Sequence, residues 1–324
     1  MAAANFIRDG QQKTVEQLDC SLGLSAGLNG HLTFLSVLNS FLSVTAFLGN
    51  ALILIALHKE SSLHPPSKLL LRSLATTDLC VGLLSEPIAV IYWISMSTEN
   101  EDWNICHYIL TVGLLVGNVL SGMSLMIMTA ISVDRLLALL LGLRYRQVVT
   151  LKRTYVIVVT LWVVSAVFLA AQLRNRLITI WYGIILTSLC LVTSVFSYTK
   201  IFFTLCHHQH QVQDHVQQPN QANQLNIARY KKAVSTALWL QLTLVACYLP
   251  YCVVAALVTN GGLSSTPFLC AWSYTTTLVF LNSSLNPILY CWKLEEVRQA
   301  VKDTIRQVLC YCFPTIDQNG ETTK

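Results

Sequence analysis

Charged residues interrupt two otherwise apolar stretches of this 324-residue chain. Asp78 and Glu86 lie in one stretch, about two helical turns apart, and Asp134-Arg135 ends another. Ionisable groups are costly in a bilayer, so each of these residues is a candidate functional group. Asp78 could bind a cation, or it could be a carboxyl that burial keeps protonated. Oxygen ligands are available at a similar depth from Ser124, Asn282, Ser283 and Asn286.

The other two charged positions each admit two interpretations. Glu86 precedes Pro87, which kinks or ends a helix, and its carboxylate could contact a ligand or pair with a basic residue. Asp134 and Arg135 could form a simple ion pair at the membrane interface. Alternatively, they form a switch in which Arg135 exchanges Asp134 for another partner when the helices move.

The elements that must position these residues are membrane-spanning helices. Hydrophobic residues make up 54% of the chain and charged residues 11%, whereas soluble domains are roughly one quarter charged. This composition, with a net charge of only +5, argues against a disordered chain and against nucleic-acid binding. A bilayer requires about 20 mostly apolar residues per helix. The runs that meet or nearly meet this length are about Leu32–Leu57, Leu69–Met96, Ile105–Leu140, Tyr155–Leu173, Leu177–Leu205, Ala233–Val258 and Phe268–Trp292.

The distribution of basic residues predicts the orientation of this seven-helix, all-α membrane protein. With the N-terminus outside, the outer segments contain Arg8, Lys13, Arg174 and Arg176, and the other 17 of the 21 basic residues lie at or near the inner face. An excess of Lys and Arg marks the cytoplasmic side. We therefore expect an extracellular tail at 1–30, a seven-helix domain at 31–293 and a cytoplasmic region at 294–324 in a multi-pass plasma-membrane protein.

A short amphipathic helix is predicted directly after the last span. Its apolar residues recur at helical spacing beside basic residues, which favours a helix that lies on the inner leaflet. This stripe consists of Leu294, Val297, Val301, Ile305 and Val308. Cys310 and Cys312 follow it and are candidates for palmitoylation, with two unmodified thiols as the alternative.

Sequence motifs occur in all seven runs. Asn286-Pro287-Ile288-Leu289-Tyr290 places a proline inside the last span, where an asparagine can satisfy the carbonyl that the proline leaves free. The other motifs are Gly49-Asn50, Leu74 to Asp78, Asp134-Arg135-Leu136, Trp162, Tyr198 and Cys247-Tyr248-Leu249-Pro250. With these motifs, in this order, the chain resembles the rhodopsin-like (class A) G-protein-coupled receptors from about Leu32 to Cys312.

The resemblance implies a receptor and not an enzyme. An extracellular ligand would shift an equilibrium between inactive and active states. Span six would swing outward at its inner end, and a helix of a heterotrimeric G protein would dock in the groove that opens. The G protein would then exchange its bound nucleotide. The switch and groove would involve Asp134, Arg135, Tyr198, Asn286, Pro287 and Tyr290. No cofactor is implied except an allosteric sodium ion, the metal that Asp78 would bind with Ser124, Asn282 and Ser283. Arrestin and a receptor kinase are further partners that the resemblance allows.

The chain also departs from the pattern of that family. Tyr248 replaces the usual Trp of span six, and Tyr230 replaces a Glu that would pair with Arg135, which supports a hypothesis of high basal activity. The short loop around Gln172–Thr179 contains no Cys and span five contains no proline. These features resemble the melanocortin, adenosine, cannabinoid and lysolipid branch. By that resemblance a disulfide joins Cys20 to Cys270, with Cys20–Cys106 as the second choice.

The sequence excludes some ligand classes without identifying the ligand. Span seven offers no Lys for a retinal Schiff base, and Gly117 stands where aminergic relatives have an Asp. A small molecule, a lipid and a peptide remain open as ligands. The predicted pocket comprises Glu86, Asn118, Ser121, Tyr248, Tyr251, Tyr274 and Phe280, with helix packing as the alternative role of the tyrosines. The alternatives to a ligand receptor of this kind are a non-visual opsin and a seven-span channel or transporter.

Overall fold

The computed structural model describes residues 27–59, 63–97, 103–174, 176–214, 239, 241–257, 266–293 and 295–312. Every regular element in these ranges is helical. The α-helices are α1 (Asn29–Lys59), α2 (Pro65–Cys80), α3 (Glu86–Ser97), α4 (Trp103–Leu141), α5 (Tyr145–Val148), α6 (Leu151–Arg174), α7 (Arg176–Asp214), α8 (Gln241–Leu257), α9 (Thr266–Lys293) and α10 (Glu295–Cys312). A π-helical turn at Val81–Ser85 joins α2 to α3, and a 3-10 turn at Gly142–Arg144 joins α4 to α5.

These helices form the predicted seven-helix transmembrane bundle. Five stretches of the described chain are long and apolar enough to cross a membrane, namely Asn29–Lys59, Pro65–Ser97, Asn104–Val148, Leu151–Leu173 and Ile180–His207. The sixth span contains the shorter apolar helix α8. The seventh span is α9, which has 28 residues and is less apolar because buried polar side chains such as Asn282 and Ser283 interrupt it.

Span two contains a π-helical turn that the sequence did not reveal. The backbone N–H of Glu86 donates to the carbonyl of Val81, five residues earlier. This wider turn precedes Pro87, whose ring and missing N–H would disrupt a regular α-helix. The proline therefore does not end the span, which continues as α3 to Ser97.

A close helix contact joins span one to span two at this turn. A Cβ atom added to Gly82 would lie 2.9 Å from the Ala46 Cβ, the Phe47 backbone nitrogen and the Ser43 backbone oxygen. The Ser43 hydroxyl donates to the Gly82 carbonyl at 2.6 Å. Small residues let helix backbones approach in this way, and dispersion contacts then hold the helices together in lipid.

The centre of the bundle is α4, which contacts α2, α3, α6 and α7. The largest core cluster draws on spans one, two, three, six and seven through Ile53, Leu74, Met123, Leu244 and Tyr290, respectively. The polar site residues are embedded in this core, so tight packing fixes their positions.

The helix after span seven packs against α1 and α9. Val297, Ala300, Val301 and Thr304 are buried, whereas Ile305 is 41% exposed, so only part of the predicted stripe faces the bundle. The side chains of Cys310 and Cys312 lie outside the described part of the chain, and their palmitoylation stays a prediction.

Candidate functional site

Asp78 is the centre of a hydrogen-bond network that joins spans two, three and seven. Its Oδ1 accepts hydrogen bonds from the hydroxyls of Ser124 at 2.8 Å and Ser283 at 2.9 Å. Its Oδ2 accepts a hydrogen bond from the Asn286 amide at 2.7 Å. All four residues are buried. The structure thus places three of the four predicted oxygen-bearing partners directly on the carboxylate.

The fourth predicted partner, Asn282, lies beside this network and contributes an unused oxygen. Its amide nitrogen approaches the Met128 sulfur at 3.3 Å. Neither its Oδ1 nor that of Asn286 has a hydrogen-bond partner among the described residues. A carboxylate, two hydroxyls and two free amide oxygens form the oxygen-only donor set that a hard cation prefers. The residues present therefore fit a sodium ion.

The proline of span seven is accommodated by span one. Pro287 has no N–H for the Ser283 carbonyl, and the Asn50 amide donates to that carbonyl at 3.0 Å instead. The same amide also donates to the Ala46 carbonyl at 2.8 Å. A Cβ atom at Gly49 would lie 3.1 Å from the Pro287 ring. The Gly49-Asn50 pair thus leaves room for the proline and satisfies the carbonyl that it frees.

A large cavity opens between spans two to seven above this network. Its empty volume is about 1720 Å³, including its open mouth. Asn118, Ser121, Tyr248, Tyr251 and Phe280 line it, which are five of the seven residues predicted for the pocket. The remaining lining is mostly aliphatic and aromatic, as is usual for small-molecule sites.

Glu86 and Tyr274 do not line this cavity. The Tyr274 hydroxyl lies 2.9 Å from His31 Nδ1, at the N-terminal end of span one. Glu86 is fully buried, and neither of its carboxylate oxygens has a hydrogen-bond partner among the described residues. Its neighbour Ser85 lines the cavity in its place. The geometry therefore offers no direct ligand contact for either of the two predicted pocket residues.

No Asp, Glu, Lys, Arg or His is found among the described residues that line the cavity. Three lining groups nevertheless have hydrogen-bonding capacity to spare, because Ser85 Oγ, Gln172 Oε1 and Thr276 Oγ1 are buried without a partner in the described chain. The Gln172 amide nitrogen is held by the Leu114 carbonyl at 3.2 Å, which directs the free oxygen. The described lining is therefore uncharged, mostly apolar and able to accept hydrogen bonds.

Tyr248 lines this cavity and joins two of its helices. Its hydroxyl donates to the backbone carbonyl of Ser121 at 3.2 Å, which connects span six to span three. The side chain is buried, and both residues line the cavity. A ligand at this depth would compete directly for a contact between the two helices.

At the C-terminal end of span three, Asp134 is held by three neighbours. Its Oδ1 accepts a hydrogen bond from the Tyr145 hydroxyl at 2.7 Å. Its Oδ2 accepts one from Ser67 at 3.0 Å and pairs with the Arg135 guanidinium at 3.1 Å. Asp134 is buried, whereas the Arg135 side chain is 44% exposed. The carboxylate therefore has strong local partners, and the arginine remains accessible.

One of the predicted groove residues, Tyr198, lies close to this pair, whereas Tyr290 belongs to the main core cluster. Tyr198 and Tyr290 are both buried, and Tyr198 packs with Leu136 in one cluster. Tyr230, the residue opposite Arg135 in the argument for high basal activity, lies outside the described residues. The interaction between Arg135 and the foot of span six thus stays a prediction.

The disulfide differs from the first choice made from the sequence. Cys270 is a free thiol, whereas Cys106 is disulfide-bonded. The prediction of a Cys20–Cys270 bridge is therefore wrong, because Cys270 is not disulfide-bonded. Cys270 instead packs against the apolar cluster that contains Leu269. Cys20 lies outside the described residues, so the second-choice pairing stays a prediction.

Sequence reasoning missed several residues of these networks. Tyr145 and Ser67 hold Asp134, and Gln172 and Thr276 contribute free polar atoms to the cavity. Polar residues are common at helix ends and on helix faces, so their types alone carried little signal. For Asn50 the sequence did carry a signal, because a proline inside a helix leaves the carbonyl four residues earlier free, and that carbonyl requires a hydrogen-bond donor.

Comparison with known proteins agrees with this architecture. A family model described as "7 transmembrane receptor (rhodopsin family)" matches residues 49–176. Adenosine receptor A2b of Gallus gallus is 24% identical over 344 residues, which cover 91% of this chain and 96% of that protein. Melanocortin receptor 3 of Rattus norvegicus is 24% identical over 299 residues, covering 84% of each chain. Adenosine receptor A2b of Rattus norvegicus is 34% identical over 124 residues, covering 38% of this chain and 35% of that protein.

Proposed function

Because this chain is a rhodopsin-like (class A) G-protein-coupled receptor, we propose that its cavity binds an uncharged, largely apolar small molecule from the extracellular side. Binding activates a heterotrimeric G protein by nucleotide exchange. The observation that supports this ligand class is the absence of charged side chains from the described cavity lining. A charged ligand would lose its hydration there without gaining a counter-ion, which costs several kcal/mol.

The polar atoms of the cavity refine the ligand class. Ser85, Gln172 and Thr276 offer buried oxygens without partners in the described chain. A ligand with up to three hydroxyl or amide N–H donors would satisfy them. The similar receptors are named for adenosine and for melanocortin. Adenosine is uncharged, as this lining requires, but its many polar groups would find few partners among mostly apolar side chains. A lipid-like molecule with few polar groups matches the lining better.

Activation begins at the floor of the cavity. A ligand that reaches Tyr248 competes with the Ser121 carbonyl for its hydroxyl. Loss of that bond weakens the contact between spans three and six, so the inner end of span six moves outward. The groove that opens is lined by Arg135, Tyr198 and Tyr290, and a helix of the G protein docks there. No covalent bond is made, so the ligand acts only by binding the active state more tightly.

The network around Asp78 opposes this movement. Its hydrogen bonds join spans two, three and seven, and Asn282 and Asn286 have oxygens to spare for a cation. A sodium ion bound there would balance the charge of Asp78 and favour the inactive state. The N-terminus is extracellular in this proposal, and arrestin and a receptor kinase are further cytoplasmic partners.

Two measurements test the proposal separately. Ligand-free activation across a panel of G-protein subtypes, compared with Arg135→Ala at matched surface expression, tests coupling. We expect a basal signal that Arg135→Ala abolishes. An undiminished signal in the variant would refute the role of Arg135.

The ligand class is tested by challenging cells with panels of neutral lipid-like, cationic and anionic compounds. We expect responses within the neutral panel, and we expect Gly117→Leu to remove them because its side chain extends toward Phe280 and fills the cavity. Val167→Leu, on an exposed position of α6, is the matched control. Responses confined to charged compounds, or an unaffected Gly117→Leu variant, would contradict the proposed ligand class while leaving coupling intact.

A further inference from the structure

The unpartnered polar atoms of the cavity lie at two separate places. Ser85 Oγ and Thr276 Oγ1 are buried on spans two and seven, and the π-helical turn that contains Ser85 contacts α9. Gln172 Oε1 is buried near the end of span four, which ends at Arg174. We call the first place the hydroxyl end of the cavity and the second the glutamine end.

Span three lies between these two ends. A Cβ atom at Gly113 would lie 3.1 Å from the side chain of Ile88, three residues beyond Ser85, so this residue faces span two. At the same turn of span three, the Leu114 carbonyl accepts the hydrogen bond from the Gln172 amide at 3.2 Å. A helix with its side chains is about 10–12 Å across. The free polar atoms at the two ends are therefore roughly 10 Å apart.

The two ends differ in their hydrogen-bonding chemistry. At the glutamine end the free atom is the amide oxygen of Gln172, which can only accept hydrogen bonds. The bond to Leu114 fixes this orientation, because a turned amide would place its oxygen against the Leu114 carbonyl oxygen. At the hydroxyl end, Ser85 and Thr276 can each donate or accept. The glutamine end therefore requires a donor, whereas the hydroxyl end accommodates either a donor or an acceptor.

Building on the proposed function, we propose that the ligand is an elongated, uncharged molecule that lies across span three and has a polar group at each end. Its group at the glutamine end is an O–H or N–H donor, and its group at the hydroxyl end is a hydroxyl or a carbonyl. The body between them is apolar, because Ile88, Leu110 and Phe280 line that part of the cavity. Gly113 and Gly117 line it without side chains, which leaves room for a broad, rigid body.

Steroids with an oxygen at each end of the ring system are suitable probes, because a rigid apolar skeleton holds the two polar groups apart. The set comprises a diol, the two hydroxy-ketones, the diketone and the two mono-alcohols that lack one oxygen. Binding to the full-length receptor in detergent is measured as a dose-dependent rise in the thermal midpoint. We expect the diol and one hydroxy-ketone to bind tightest. The diketone has no donor for Gln172, and we expect it to bind about two- to tenfold more weakly.

A variant at the glutamine end tests the donor requirement. Gln172→Met removes the acceptor and keeps a side chain of similar length, so we expect it to bind the diol and the diketone equally. Gln241→Met makes the same substitution at a glutamine outside the described lining and should keep the preference for the diol. The comparison of diol with diketone in the wild type decides the donor requirement even if Gln172→Met folds poorly.

A double variant tests the hydroxyl end. Ser85→Ala/Thr276→Val removes two hydroxyls that have no partner in the described chain, so the bundle loses no internal hydrogen bond there. We expect its affinity for the diol to fall about two- to tenfold, to that of the better mono-alcohol. Ser40→Ala/Thr275→Val is the matched control, because these hydroxyls donate to helix carbonyls and lie outside the lining.

The remaining outcomes separate the shape of the ligand from its charge. A diketone or a mono-alcohol that binds the wild type as tightly as the diol would overturn the two-ended ligand and leave the proposed function intact. Binding of other neutral compounds, with no binding of any steroid in the set, would also overturn it. If only charged compounds bind, the proposed function fails, and the two-ended neutral ligand fails with it.

Discussion

Exchanging Asp78 and Asn286 tests the buried network that joins spans two and seven. Asp78→Asn converts three charge-assisted hydrogen bonds into neutral ones. Each bond weakens by about 1 kcal/mol, but removing a fully buried charge offsets part of this loss, so we expect a net loss of about 1 to 2 kcal/mol in stability. The new amide at position 78 also faces the Asn286 amide nitrogen, and Asn286 must turn its free Oδ1 inward to avoid a contact between two donors.

The reciprocal change fails for a different reason. Asn286→Asp places a second carboxylate against the Asp78 Oδ2, where the amide now donates at 2.7 Å. Two buried like charges at that distance destabilise the bundle by roughly 3 kcal/mol or more unless one is protonated. The double variant has one carboxylate and one amide again, so the bond between spans two and seven forms in the reverse direction. We therefore expect a coupling energy of about 2 to 3 kcal/mol between the two substitutions.

The assay is the thermal midpoint of the detergent-solubilised receptor, measured by size-exclusion chromatography after heating. We expect the highest thermal midpoint for the wild type, a lower one for the double variant and the lowest for the two single variants. Asp78→Asn combined with Asn50→Asp is the control, because Asn50 donates to Ala46 and Ser283 and not to Asp78. A double variant that is less stable than either single variant would refute the geometry. Replacing choline chloride by sodium chloride should raise the midpoint of the wild type and not that of Asp78→Asn. An equal rise in both would argue against sodium at Asp78.

Three further predictions follow from single contacts. Tyr248→Phe removes the hydroxyl that joins span six to span three, which weakens the contact by about 0.5–1.5 kcal/mol. Basal G-protein signalling should therefore rise about two- to tenfold. A basal signal equal to that of wild type would contradict the proposed trigger. Gly82→Ala should sharply reduce surface expression, because the added Cβ would lie 2.9 Å from backbone atoms of span one. Gly122→Ala is the control and should be tolerated, because its Cβ would have no neighbour within 4 Å. Similar expression of the two variants would count against the tight contact. Cys106→Ser should lower the thermal midpoint, because it removes a disulfide that contributes about 2–5 kcal/mol. Cys270→Ser should leave the midpoint nearly unchanged, because Cys270 is not disulfide-bonded. The opposite pattern would favour the Cys20–Cys270 bridge expected from the sequence.

The seven-helix fold could be predicted from the sequence because lipid imposes a strong constraint. Each span must satisfy its own backbone hydrogen bonds and be apolar for about 20 residues. The polar exceptions to that pattern then stand out, and Asp78 and Asn286 were identified for this reason. The π-helical turn at Val81–Ser85 was not predicted, because it depends on how Gly82 packs against span one.

The site could be predicted only in part. Asn118, Ser121 and Phe280 line the cavity as expected, whereas Glu86 does not, although it lies in the same half of the bundle. A side chain on a helix can face the cavity, a neighbouring helix or lipid, and the extra residue in the π-helical turn shifts the helix face that follows it. A sequence pattern that assumes regular turns cannot supply that rotation.

The sequence by itself determined that the chain is a helical membrane protein, which residues interrupt its spans, and which motifs resemble a receptor family. These properties depend on composition and spacing along one chain, which the bilayer converts directly into helices. The tertiary structure decided that Asp78 meets Asn286, that Asn50 serves the carbonyl freed by Pro287, and that the cavity lining is uncharged in the described chain. These contacts join residues more than 200 positions apart in the sequence. They exist only once the helices pack, because packing fixes the rotation of each helix about its axis.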